Sequence, residues 1–353
     1  MSANMRWSDM RYDIVLLATM WAAVTAYALL GGADFGAGIW DLLAGSRRTG
    51  ARRRALIEHA IGPVWEANHV WLIFVLVLMW TDFPPLYAAI ASTLYLPLTL
   101  VALGVIARGA AFAFRKAIEV PWAQQCFGAA FAFSSFVTPF MLGAIAGGVA
   151  SGRVPPGLAR GDAITSWLNP TSAVTGGFAV VACAFVASSY LVVDARRGGD
   201  EVLVAYFRRR AMASAVLAGV LSIVGLAVLH SDAPTLYARL TGRALPLVAL
   251  AAIAGLASLF LAWRRHYALL RIAAAGAVAA VLWAWGAAQF PDLLPGALTI
   301  RDAAAPHATL VATAVCTAVG MVLLIPSLVL LFRLFSRNPA VVTEPTTVER
   351  VST

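Results

Sequence analysis

Charge is scarce in this sequence. Only 12% of its 353 residues are Asp, Glu, Lys or Arg, about half of what an ordinary soluble domain carries. Lysine is nearly absent, with Lys116 standing alone. Cysteine is limited to Cys126, Cys183 and Cys316, each inside an apolar run. They form no C-x-x-C pair and no metal-ligand spacing, so they read as small core residues rather than a disulfide framework or zinc site. No phosphate-binding glycine loop, dinucleotide fingerprint or nucleophile elbow occurs, which leaves ATPase and hydrolase readings without support. The ~10-residue alternation of a membrane β-barrel is missing too.

What fills the space is apolar: 61% of residues are hydrophobic. They fall into runs of about twenty, the length that crosses ~30 Å of hydrocarbon as a helix. In lipid every backbone N–H and C=O needs an internal partner, so such runs must be helical. The sequence therefore predicts an all-α, polytopic integral membrane protein with nine spans. They are expected at about 12–44, 58–80, 86–108, 122–150, 171–193, 211–230, 244–263, 267–288 and 306–334. Pro84-Pro85, Pro155-Pro156, Asn169-Pro170 and Pro291 punctuate the ends, where a helix cannot continue. The first run is too long for the apolar stretch of a signal peptide, so it is expected to remain as the first span. Residues 1–337 read as one transmembrane domain, and 338–353 as a polar tail. No internal repeat stands out.

The net charge of +9 does not point to nucleic acid, because its carriers are placed for topology. Nineteen of the 26 basic residues fall in alternate connections: around Arg47–Arg54, Arg108–Lys116, Arg196–Arg210, Arg264–Arg271 and Arg333–Arg350. The positive-inside rule then puts the N-terminus outside and the C-terminus in the cytoplasm, which requires an odd number of spans. In this reading Arg108 is a snorkelling anchor at a helix end.

Ionisable groups inside a membrane are costly and are functional candidates by default. Asp34, in Gly31-Gly32-Ala33-Asp34-Phe35-Gly36, and Glu66, in Gly62-Pro63-Val64-Trp65-Glu66-Ala67-Asn68-His69, qualify best. Glu66 follows Arg54 by twelve residues, ~18 Å along a helix, and Asp34 precedes Arg47 by a similar distance. The two carboxylates should lie at similar depth on neighbouring antiparallel helices. Buried and unpaired, either would hold its proton more tightly and suit a proton relay. The alternative is structural: Gly32 and Gly36 form a small-xxx-small step for close helix contact, and Asp34 bonds a neighbouring helix. Glu66 and His69 have the spacing of a di-iron carboxylate–histidine unit, but the further carboxylates and second unit are missing. Paired haem ligands are not evident among His59, His69, His230, His266 and His307.

These motifs resemble, in order along nearly the whole chain, subunit II of the cytochrome bd-type quinol oxidases. The likeness rests on Gly32-Ala33-Asp34-Phe35-Gly36-Ala37-Gly38-Ile39-Trp40 and on Ile61-Gly62-Pro63-Val64-Trp65-Glu66-Ala67-Asn68-His69-Val70-Trp71-Leu72. It continues through Phe83-Pro84, Arg108-Gly109-Ala110-Ala111-Phe112, Ser135-Phe136-Val137-Thr138-Pro139-Phe140, Asn169-Pro170, Gln289-Phe290-Pro291 and Ala304-Ala305-Pro306.

The resemblance implies a terminal oxidase of the bacterial plasma membrane that oxidises quinol and reduces dioxygen to water. It implies nine helices, arranged as two four-helix bundles plus one peripheral helix. The haems, b-type with d- or b-type, would belong to a partner subunit I, and this chain would ligate none. Small accessory subunits and membrane lipid are further partners. Glu66 would be the main carboxylate of a cytoplasmic proton path, with Asp34 supporting and Trp65, Asn68, His69, Trp71 and Arg108 around them. Where the family often carries a second acid three positions before Asp34, this sequence has Gly31. A proton-coupled secondary transporter is the alternative reading; it would call for paired repeats and helices broken near the midplane.

Overall fold

The computed structural model describes residues 3–46, 50–114 and 120–336. The expected tail from Asn338 lies outside them. The chain is helical almost throughout. In order come α1 (Ala3–Leu42), α2 (Ala51–Asp82), α3 (Pro84–Thr93), α4 (Tyr95–Phe114), α5 (Pro121–Ala150) and α6 (Pro170–Arg197). Then follow α7 (Glu201–Asp232), α8 (Pro234–Thr241), α9 (Leu245–Trp263), α10 (Tyr267–Gln289), α11 (Ile300–Ala303) and α12 (His307–Ser336). A two-stranded hairpin, β1 (Asp292–Leu294) with β2 (Leu298–Thr299), sits in the connection before α11. Among the described residues seven helices are long and apolar enough to cross a membrane, and an eighth span is reached if the bent pair α2–α3 counts as one.

Helix starts follow their sequence signals. Pro170 takes the first position of α6, where a missing N–H costs nothing, and the Asn169 side chain accepts from Ser172 N–H at 2.9 Å. Asp200 caps α7 by accepting from the N–H groups of Val202 and Leu203.

The expected third helix, 86–108, is two helices. The chain turns by 117° between α2 and α3, with Pro84 and Pro85 opening the new helix. It breaks again at Leu94. Pro97 has no N–H for the carbonyl of Thr93, and its ring crowds that carbonyl, which weakens the helix at this point.

The same corner recurs 150 residues later. Asp82-Phe83-Pro84-Pro85-Leu86-Tyr87-Ala88 is echoed by Asp232-Ala233-Pro234-Thr235-Leu236-Tyr237-Ala238. Phe83 (φ −132°, ψ 59°) and Ala233 (φ −140°, ψ 62°) share one backbone conformation. Both donate back to the carbonyl four residues earlier, and both accept from the N–H of the tyrosine. Even the aromatic contacts correspond: Trp80 stacks on Tyr87, and His230 meets Tyr237 edge-on. The repeat missing from the sequence reading is therefore real.

Around each corner, helices pair in like manner. α1 packs on α2 and α4 on α5; α6 packs on α7 and α9 on α10. The two sets meet through α1, α5, α6 and α10, while α12 leans on α1 and α2. One apolar core lies towards the arginine-rich end, around Trp40, Ile57, Phe131, Leu191, Phe207 and Leu270. Another lies at the opposite end, around Leu16, Leu78, Phe83, Leu294 and Leu310.

Candidate functional site

The most polar place in the interior is built by four helices. Arg108, from the second half of α4, reaches α1 and grips Asp34 with both arms of its guanidinium. Nη2 donates to Oδ1 at 2.6 Å and Nε donates to Oδ2 at 3.0 Å. Nη2 also donates to the Asp34 carbonyl at 2.5 Å. From α2, Asn68 Nδ2 donates to Asp34 Oδ2 at 3.0 Å. From α5, Ser135 Oγ accepts from Arg108 Nη1 at 2.9 Å and donates to the Phe131 carbonyl at 2.6 Å. The rings of Phe131 and Phe35 lie 4.3 and 4.9 Å from the guanidinium carbon, near enough for a cation–π contribution.

The pair is sealed off: the Arg108 and Asp34 side chains are 1% and 0% exposed. Arg108 is thus no anchor at a helix end, as the sequence reading had it. It is a buried cation, and it drops out of the set of residues that mark the charged side. Nor does Asp34 stand unpaired. With both oxygens accepting from a guanidinium, it forms a neutral unit with Arg108. Two charges leave water here, and that is tolerable because nearly every polar atom is matched. The exception is Asn68 Oδ1, which is buried without a hydrogen-bond partner among the described residues. Thr138 Oγ1, one helical turn on from Ser135, is another orphan.

Glycine makes this assembly possible. A side chain at Gly38 would collide with Ser135 Oγ and crowd Arg108 Nη1. At Gly36 it would run into the Cys183 carbonyl and the Ala187 methyl on α6. The small-residue step of α1 therefore sets both the α1–α6 approach and the space for the guanidinium, as expected for closely packed membrane helices. Trp40 Nε1, on the same helix, donates to the Ala184 carbonyl of α6 at 2.8 Å.

Of the other expected site residues, Trp65 and Glu66 belong to α2, but their side chains lie outside the described residues. His69 is half-buried. Trp71 Nε1 is buried without a partner among the described residues, and its ring lies edge-on to Phe74. Ser135 is a site residue that sequence reasoning did not single out; a hydroxyl in an apolar run gives no sign of what it meets. Among the described residues no group of three His, Cys, Asp or Glu could hold a metal. The His230 and His307 rings contact Tyr237 and Tyr12, and His266 is exposed at the start of α10.

The comparisons with known proteins bear on which complex such a cluster serves. The family model for cytochrome bd terminal oxidase subunit II matches residues 12–335. This chain belongs to that family. A cytochrome bd ubiquinol oxidase subunit 2 from Bacillus subtilis (strain 168) is 34% identical over 135 residues, 36% of this chain and 39% of the relative. A cytochrome bd-I ubiquinol oxidase subunit 2 from Escherichia coli (strain K12) is 29% identical over 145 residues, 40% of this chain and 38% of the relative. The matched stretches thus span about two fifths of these relatives' length. The bd oxidase structure from Geobacillus thermodenitrificans has a chain with the same fold, at TM-score 0.71 and 23% identity, covering 93% of this chain and 99% of that one. Family and helices together make this subunit II a multi-pass membrane protein.

Proposed function

We propose that the chain is subunit II of a quinol:oxygen oxidoreductase in a bacterial plasma membrane. It stands beside a haem-bearing subunit I and lines a cytoplasmic proton path to the oxygen site. The observation that carries this reading is the family match over residues 12–335. The architecture proposed is nine spans, with α1, α2, α4 and α5 as one bundle and α6, α7, α9 and α10 as a second. α12 is peripheral, the N-terminus is outside, and the tail is cytoplasmic. The pairwise packing supports it, as does the alternation of arginine-rich connections.

Within that reading the haems belong to subunit I and supply the redox chemistry there. This chain's own residues do two things. Asp34, Arg108, Asn68 and Ser135 fix the first bundle as one charge-neutral unit. Glu66, two residues before Asn68 on α2, is the proposed relay carboxylate, with Asp34 supporting. The corner repeat removes one objection to the secondary-transporter alternative, but family membership does not favour that alternative.

The test is purification of the tagged chain in mild detergent, followed by an optical spectrum and quinol-dependent oxygen uptake. A haem-bearing partner with oxidase activity is the expected result. A haem-free chain active in solute uptake would overturn the reading. In the assembled complex, Glu66→Gln is expected to slow charge translocation. The parental rate in a correctly assembled Glu66→Gln complex would reject Glu66 as the relay.

A further inference from the structure

We propose that the groove between the end of α6 and the turn joining α9 to α10 binds the phosphate of an anionic phospholipid. A cavity of about 420 Å³ lies there, lined by Val193, Arg196, Arg197, Arg265, His266 and residues 267–269. Three arginines and a histidine thus surround one opening with an apolar back wall.

The local carboxylates do not balance them. Arg196 pairs with Glu201 on the surface. Arg197 approaches Asp194 at 3.6 Å, and Asp194 also faces Arg271 and His59. Arg265 forms no ion pair among the described residues. Arg264 lies above the rings of Trp263 and Phe260, outside the cavity. Of the three arginines that line the cavity, two lean on one acid each and Arg265 on none among the described residues. Ordinary topology anchoring explains basic residues on this side of the protein, but it does not explain their convergence on a cavity. A phosphodiester does: guanidinium forks match its oxygens bidentately.

The surroundings choose a lipid over a free anion. Exposed apolar side chains run away from the opening along the two helices: Leu269 and Ile272 on α10, Trp263 and Phe260 on α9. Trp263 is 59% exposed, the position of an aromatic belt residue at a membrane–water interface. A headgroup seated among the arginines would lay its acyl chains over this surface. Basic pockets between membrane helices are recognised seats for anionic lipid headgroups.

The experiment is native mass spectrometry of the full chain, with whatever partner co-purifies, in detergent supplemented with phosphatidylglycerol or phosphatidylcholine. Retention of phosphatidylglycerol in preference to phosphatidylcholine is expected. An Arg197→Gln/Arg265→Gln variant should lower phosphatidylglycerol affinity at least ~10-fold, since each basic residue at a lipid surface contributes on the order of a factor of five. A control, Arg209→Gln, removes an exposed charge elsewhere on the same side and should change affinity by less than about threefold, because solvent screens distant charges. Equal retention of the two lipids by the parental protein would overturn the proposal, and that comparison needs no variant to fold. A control effect as large as that of the double variant would overturn it too. Displacement of the lipid by millimolar inorganic phosphate would mark a free-anion site and reject the lipid assignment.

Discussion

Asp82 and Asp232 stand at the same backbone corner, 150 residues apart, and are treated oppositely by their surroundings. Asp232 receives both arms of Arg153 at 2.7 and 2.9 Å, with the Thr171 hydroxyl at 2.6 Å. Asp82 is fully buried, faces Thr313 of α12, and receives no well-formed hydrogen bond from any described residue. The contrast extends along the helices leaving each corner. Counting in register, Asn68 of α2 corresponds to Ala218 of α7, and Arg108 of α4 to the buried Ser258 of α9. The first half encloses a charged pair where the second encloses small side chains. The repeated corner thus keeps its bend, which is set by backbone and proline, while the side chains on the helices that leave it differ.

The largest effect should come from splitting the charged pair. Arg108→Gln or Asp34→Asn alone should lower stability by about 3–5 kcal/mol, because the survivor is a buried charge without a partner. Ser258→Ala, the matching position in the other half, should change it by no more than about 1 kcal/mol. Thermal unfolding of the purified protein reads both, and equal losses would break the comparison. Replacing both partners, as Asp34→Leu/Arg108→Met, should cost less than either single change.

Next comes the seam between the halves. Gly36→Val forces a branched side chain against the Cys183 carbonyl, and overpacking of this kind costs about 1–3 kcal/mol or more. Gly177→Ala on α6, where an added carbon meets nothing within 4 Å, is the control expected to leave the melting temperature nearly unchanged.

Smaller, and opposite in sign between the halves, are the two corner acids. Asp232→Asn should cost about 1–2 kcal/mol by weakening a half-buried bidentate contact. Asp82→Asn should be neutral or stabilising, since no hydrogen bond is lost and a buried acid is removed. A substantial loss at Asp82 would show that its carboxylate has a task the corner geometry does not reveal.

The smallest effect lies in the connection between the halves. Backbone N–H groups of Thr165 and Ile164 hold the Asp162 carboxyl below its ordinary range. A lowered folded-state value means its contribution is complete above the ordinary value of 3.8. That contribution fades as pH falls through the lowered one. Amide protection at Ile164 and Thr165, taken relative to the intrinsic exchange rate at each pH, should therefore fall only on strong acidification, and Asp162→Asn should abolish that fall.

Much of this is legible in the sequence. Apolar runs locate the long helices, and Asn169-Pro170 marks the start of α6, expected at about 171 and found at Pro170. The break at Leu94 was not visible, because Pro97 acts on a carbonyl four residues back and the run stays apolar across it. The corner repeat escaped because it shares few identities over a long separation; it is carried by Asp-x-Pro-x-Leu-Tyr-Ala and by matching dihedral angles. Arg108 was misread because an arginine near the end of an apolar run looks the same whether it faces water or a carboxylate 74 residues away. Asp34 could be named as a candidate, but its partner is set by which helices adjoin, and that is a tertiary fact.

The Asp34–Arg108 grip also constrains how this protein can change over generations. Losing either residue alone strands the other's charge in an apolar interior, so each single step away from the pair leads downhill in fitness. An uncharged interior like that at Ser258 is reached without a stranded charge only when both residues change together. Each charge of the pair is thus of use to the fold only while the other is present.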